Sequence, residues 1–363
     1  MLEYLIVLFI LLILNGLPQA EPMKKSFILP ISFFILWVFL AFRYYYGLDY
    51  DSYLSNFSSV KSEEVQASEF LFWKFFYSFK YYYQFIIVHT TIVLGTLFYL
   101  TRRYVSPHYY SIVFFVFMCH PGMMFNYISA MRSALASCAF IWAADFTYIR
   151  KKRLLLFVLL ILIISFIHKS TLMLLSVPLV DIFWRKIKSG VWNFLLIGAI
   201  FFSFILVTFA AHWIVDNGFV DYRYMEYLDQ DKLYNSNIKN LFLRFFMIFP
   251  SIYMVKSYNN YKFSVDKIRI YTIALSFFIL FFMGFDFENR LTVLIFIFAL
   301  ISIINCFDIN TSLTKVVLVK LSMYCFILLN LYLAFRAMTR MIEMPGNYLF
   351  YNSLLTMPLS TWP

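Results

Sequence analysis

HPGMMFNYISAMRSALASCAFIWAADFTYI, residues 120–149, is an apolar run with one arginine, Arg132, inside it. Small residues flank that arginine: Ser129, Ala130, Ser133, Ala134, Ala136 and Ser137. Small side chains let membrane helices approach closely. A charged group at membrane depth is costly and normally faces a protein interior or a wet cavity. Two readings of Arg132 follow. It lies at a helix end and reaches the headgroups along its own stem, or it holds an anionic group in a membrane-embedded cavity.

The composition around this run favours a membrane. The chain has 363 residues, 63% of them hydrophobic and only 13% charged. Soluble domains carry about 25% charged residues, so the sequence reads as an all-α, polytopic membrane protein. No polar block is long enough to fold alone, so residues 1–363 are expected to form one integral membrane domain. Cys119, Cys138, Cys306 and Cys325 sit in or beside apolar runs at spacings that fit no metal site. The net charge of +11 needs no nucleic acid, because cytoplasmic loops of membrane proteins collect Lys and Arg.

Outward from the central run, the apolar segments predict about 10–12 transmembrane helices. The first is residues 1–17, read as an uncleaved helix with its N-terminus outside, since no basic residues precede its apolar core. Further spans are expected at about 27–41, 81–100, 109–127, 128–149, 191–213, 241–256, 270–284, 291–306 and 317–334. Two pieces, 154–167 and 171–184, are too short for a straight span and are split by His168, Lys169 and Ser170. Such broken pairs often mark a binding site within a membrane. Outer loops are expected at about 43–80 and 214–240, the first containing an interfacial amphipathic stretch, SEFLFWKFFYSF (68–79). Basic residues concentrate in short loops on one side, among them Lys24, Lys25, Arg102, Arg103 and the RKKR run at 150–153. That side is therefore cytoplasmic.

This orientation puts the remaining polar groups on the outer side or in a cavity open to it. They include Arg43, Asp49, Asp51, Glu69, His120, Arg132, His168, Arg223 and Arg290. Arginines gathered at one face argue for an anionic ligand, because the guanidinium grips phosphate or carboxylate and keeps its charge. RYYYGLDYDSY (43–53) offers a cation, a turn glycine and two carboxylates. Asp49 and Asp51 suit a general base, a sugar-hydroxyl acceptor, a divalent metal or an ordinary solvated turn. His168 suits a base or a phosphate partner. DYRYMEYLDQD (221–231), with Arg223 and Tyr227, is a charged outer loop that orders on substrate or is simply a loop. The sequence has no P-loop, GxSxG, HExxH or dinucleotide fingerprint, which argues against ATP-driven transport and zinc proteolysis.

Taken in order, these motifs resemble the EpsG-like, Wzy-type bacterial polysaccharide polymerases. RYYYGLDYDSY resembles that family's R…GxDxxxY signature, and SEFLFWKFF its acidic E-P-L-F element without the proline. NYISAMRSALA is similar to the R-Q-x-x-A helix, with Ser133 where Gln is usual. FIHKSTLMLLSVP matches the H-K-S-A element with Thr171 for Ala, RYMEYL the K-Y-x-x-Y loop, and ENRLTVLIF the late arginine helix.

The resemblance implies a GT-C-like O-antigen or capsule polymerase in the bacterial inner membrane, with its active site facing the periplasm. The donor is a growing chain on undecaprenyl pyrophosphate, and the acceptor is a sugar hydroxyl of a new lipid-linked unit. Arg132, His168 and Arg290 are then expected on the pyrophosphate. Asp49 is the first expected base, with Glu69 or His168 next, and Arg43 orients the acceptor. Tyr53, Glu69, Ser170, Arg223 and Tyr227 are the expected substrate contacts. Nucleotide, metal and other cofactors are not expected; a chain-length regulator is a possible partner, and nucleic acid is not. The rival functions are an O-antigen ligase, which shares the donor, and a lipid-linked oligosaccharide flippase or other transporter. The short loop 214–240 disfavours the ligase, and the outward bias of the arginines disfavours the flippase.

Overall fold

The computed structural model describes residues 2–44, 49–59, 69–119, 123–151, 153–175, 177–178, 269–270, 273, 297–298, 300–301, 304, 328, 332 and 352–353. The expected spans from 191 to 256, most of those after 270, and the loop 214–240 lie outside these residues.

Helices dominate. α1 is Leu2–Gly16, and α2 runs through Glu21–Ala41. Pro30 has no N–H to offer the carbonyl of Ser26. The turn just before it widens into a π-helix at Lys24–Ile28, where the Leu29 N–H bonds to the carbonyl of Lys24. The helix therefore begins earlier than residue 27, the start expected from hydropathy. α3 is Tyr50–Ser59 and α4 is Phe70–Phe76. α5, Tyr82–Tyr104, starts where the Gln84 side chain accepts from the Lys80 and Tyr81 N–H groups. It ends with Arg102 and Arg103, cations that suit a helix C-terminus. α6 is Tyr110–Cys119. α7 (Met124–Ser129) and α8 (Met131–Ala143) divide the central run at Ala130, and α8 continues as a π-helical turn over Ala144–Ile149. α9 is Leu154–Ile164, followed by a 3-10 turn at Lys169–Leu175. The expected break at His168–Ser170 is thus present. β1 (Arg43–Tyr44) pairs antiparallel with β2 (Asn352–Ser353), Arg43 opposite Ser353 and Tyr44 opposite Asn352.

α2 and α5 are long and apolar enough to cross a membrane. Each is more than 20 residues, which covers the roughly 30 Å of hydrocarbon. Side-chain exposure agrees. Phe27, Ile31 and Phe34 form one bare stripe on α2, and on α1 and α9 Phe9 and Leu155 are 65% and 75% exposed. Bare stripes of this size suit lipid and not water.

The packing divides into two compact units: Met1–Asp145 with Leu159–Thr171 and Ile327–Pro363, and Phe146–Val158 with Leu172–Phe326. In the first, α1 lies against α6 and α2, and α5 lies between α2 and α8. Polar groups mark both ends of these helices. Glu21 meets His108 at 2.8 Å, so the loops after α1 and α5 share an end. At that end wholly buried Asp145 accepts from the Tyr99 hydroxyl at 2.6 Å and from Tyr104. In the second unit Arg269 donates to the carbonyls of Tyr148 and Ile149. It thereby caps the C-terminal end of the π turn.

Candidate functional site

The opposite end of the first unit is built from aromatic rings. Tyr50, Tyr53, Phe72, Phe76, Tyr82 and Phe85 form a buried cluster with Met131 and Leu135. Phe72 and Phe76, one turn apart, turn α4 onto that cluster, so the SEFLFWKFF stretch is half core. α4 is also tied to the end of α9. The Leu71 N–H donates to the Phe166 carbonyl at 3.2 Å, and the Phe70 and Phe166 rings meet at 5.3 Å. That junction sets Glu69, the residue before α4, beside His168, the residue before the 3-10 turn.

Glu69 is the hub. Its Oε2 accepts from Arg132 Nη1 at 2.5 Å, and its Oε1 meets His168 Nδ1 at 2.8 Å. The Lys169 N–H also donates to Oε1, at 3.3 Å. The side chains of Glu69 and His168 are 9% and 11% exposed, and that of Arg132 is 29%. Burial alone pushes the Glu69 carboxyl up. The His168 hydrogen bond, the Arg132 charge and the Lys169 N–H outweigh it and hold the carboxyl at about 2. Glu69 is therefore a carboxylate at neutral pH and can only accept. His168 Nδ1 must carry the proton in that bond. Its Nε2 is buried and has no hydrogen-bond partner among the described residues. In the neutral ring Nε2 is a lone pair; in the cation it is a second donor.

Arg132 lies in the first turn of α8, where a cation opposes the helix dipole. Of the two sequence readings, the helix-end position is right, but the side chain does not simply run out to solvent. It is held by Glu69 and by two consecutive rings, its guanidinium carbon 6.0 Å from the Phe72 centroid and 5.6 Å from that of Trp73. Its charge also bears on the hydroxyl of buried Tyr53, whose ring packs edge-on against Phe72 and Phe76. Burial pushes the Tyr53 phenol up, against the pull of Arg132. Asp49 is exposed one turn earlier, and its carbonyl accepts the Tyr53 N–H at 3.0 Å.

Glu69, Arg132, His168 and Tyr53 are thus brought together from four separate stretches. Ser170 follows directly in the 3-10 turn. Arg43 makes other contacts. It is wholly buried, and its Nη1 donates to the Leu40 carbonyl at 2.7 Å and to Thr90 Oγ1 at 2.8 Å. Arg290, Arg223 and Tyr227 lie outside the described residues. Among the described residues no three His, Cys, Asp or Glu side chains form a metal-binding group.

The sequence reading missed Phe72 and Trp73 as partners of Arg132. The available signal was spacing: Trp73 and Tyr77 follow Glu69 at steps of four, the helical repeat.

Chemically, the cluster is a cation set against a histidine whose tautomer is fixed by a carboxylate. Such a pair can stabilise an anion and exchange a proton at one atom, Nε2.

No curated protein and no solved structure matches the chain. A family comparison does, over residues 26–351, a range that contains Arg43, Asp49, Glu69, Arg132, His168 and Arg290; the chain belongs to the EpsG family.

Proposed function

We propose that the protein is a membrane glycosyltransferase that polymerises polysaccharide repeat units carried on undecaprenyl pyrophosphate. It would work at the outer face of the bacterial inner membrane, within a polytopic GT-C-like bundle. EpsG family membership supports a polysaccharide polymerase-like membrane protein. One observation carries the finer reading: Glu69 holds Arg132 and His168 at once, on the end of the bundle opposite the Glu21–His108 contact.

The reaction joins an acceptor sugar hydroxyl to the anomeric carbon of the donor chain. The oxygen–carbon bond forms as the bond from that carbon to the pyrophosphate oxygen breaks. The hydroxyl proton passes to His168 Nε2, and the electron pair leaves with the lipid pyrophosphate. A positioned base contributes about 10²–10⁴-fold. Glu69 keeps the lone pair at Nε2 by accepting from Nδ1. Glu69 itself is a poorer base, because both its oxygens already accept hydrogen bonds. Arg132 meets the charge growing on the leaving pyrophosphate, a role worth about 3 kcal/mol for one well-placed donor. Arg290 is assigned to the same group. Tyr53 shares its surroundings with Arg132, and exposed Asp49 accepts from a hydroxyl of the incoming unit. Ser170, Arg223 and Tyr227 are assigned to the glycan, and Arg43 supports the loop that carries Asp49. No nucleotide enters, and a chain-length regulator is a partner to seek.

The test is a variant panel in the native host, Arg132→Ala, His168→Ala and Arg290→Ala, each at wild-type membrane levels. Surface polysaccharide is read on a gel. A lost ladder with one repeat unit still attached supports polymerisation. Loss of even the single unit points to ligation or transport and overturns the proposal.

A further inference from the structure

Trp73 is the least explained polar group near the site. Its ring is only partly buried, yet its Nε1 is buried and has no hydrogen-bond partner among the described residues. Buried indole N–H groups normally find an acceptor, and an unpaired one calls for a reason. Trp73 lies in α4, four residues after Glu69, which precedes the helix. The Arg132 guanidinium spans both, bonded to Glu69 and set 5.6 Å from the Trp73 ring centre. Tyr77, a further turn on, stacks on Trp73 with the ring planes 18° apart and the centroids 5.7 Å apart. The ring that carries the cation of the site on its face therefore also carries an unsatisfied donor on its edge.

We propose that Trp73 is an anion-binding residue: its indole N–H and the Arg132 guanidinium donate together to the pyrophosphate of the lipid-linked substrate. This rests on the polymerase reading for the source of the ligand. The recognition itself is one of chemistry, a phosphate oxygen shared by a charged and a neutral donor. A neutral N–H next to a permanent cation adds a directed bond without adding charge that Glu69 would have to balance. It also explains an aromatic residue in which Phe would fill the space and leave no buried donor unpaired.

The test uses the full chain, purified in detergent and titrated calorimetrically with inorganic pyrophosphate. Trp73→Phe keeps the ring under Arg132 and removes the donor. Affinity is expected to fall about tenfold to a hundredfold, the usual range for one hydrogen bond to a charged group. Trp73→His, which keeps a ring N–H, is expected to recover part of that loss, and Arg132→Gln to abolish binding. The same losses are expected with farnesyl pyrophosphate as the ligand. Wild-type affinity in Trp73→Phe overturns the proposal, as does equal weakening in Trp73→Phe and Trp73→His. Absence of pyrophosphate binding in the wild-type protein, or a prenyl ligand insensitive to Trp73→Phe, overturns it too. Those results are independent of the polysaccharide ladder, which tests the polymerase reading separately.

Discussion

Glu69→Gln is the most informative single change. The replacement keeps the shape of the side chain and removes the charge between Arg132 and His168. In the wild-type fold the Glu69 carboxyl is held at about 2 against an ordinary 4.5. At about 1.4 kcal/mol per pH unit that is roughly 3 kcal/mol, and partial solvation of Arg132 reduces it to about 2 kcal/mol. The folded value lies below the unfolded one. The contribution is therefore complete above about pH 4.5 and fades as pH falls through about 2, with more than half gone by about pH 3. Glu69→Gln lacks it at every pH. The assay is thermal unfolding of purified protein across pH 7 to 3. At pH 7 the variant is expected to melt roughly 3–6 °C lower, and the gap is expected to narrow by more than half at about pH 3. A second consequence is chemical. The Gln amide can donate to Nδ1 of His168, which moves the ring proton to Nε2 and removes the base. Glu69→Gln is therefore expected to lose the polysaccharide ladder with His168 still present. A variant that melts with the wild type, with an unchanged gap across this pH range, refutes the electrostatic argument.

Other expectations follow from the same contacts. Tyr53→Phe removes the buried hydroxyl on which the Arg132 charge bears; a few-fold to tenfold drop in polymer yield at normal protein levels is expected, and an unchanged yield counts against a role for that hydroxyl. Arg43→Ala opens the buried contacts to Leu40 and Thr90 and is expected to cost about 2–4 kcal/mol; it should show as less folded protein in the membrane, not as a slower enzyme in normal amount. In a cysteine-free background, Ser52→Cys is expected to react with an impermeant maleimide in spheroplasts, and His108→Cys only after lysis. Both side chains are exposed, at opposite ends of the first unit. The reverse labelling contradicts the orientation.

How much of this was legible in the sequence depended on the range of the interaction. α2 and α5 are long apolar runs, so local hydropathy found them. The start of α2 was placed late because the π turn before Pro30 carries the helix back to Glu21 without a hydropathy signal. Arg132, His168 and Glu69 each stood out as polar groups in apolar surroundings. Their meeting was not legible, because Glu69 is 63 residues from Arg132 and 99 from His168. Only tertiary packing of α4 onto the end of α9 makes it. Trp73 was hidden for a different reason. In a chain with 22% aromatic residues, one more ring carries no signal until its neighbours are known. Arg43 was expected from its motif to orient the acceptor; its bonds to the Leu40 carbonyl and Thr90 could be seen only once α2 and α5 were packed together.

The most direct measurement is reconstitution. Purified protein in liposomes is supplied with its lipid-linked repeat unit and no nucleotide, and both product length and free undecaprenyl pyrophosphate are measured. The expected result is a ladder of lengthening chains, one pyrophosphate lipid released per bond, and neither from the His168→Ala protein. Repeat units that cross the bilayer or stay unchanged, with no new glycosidic bond, contradict the account.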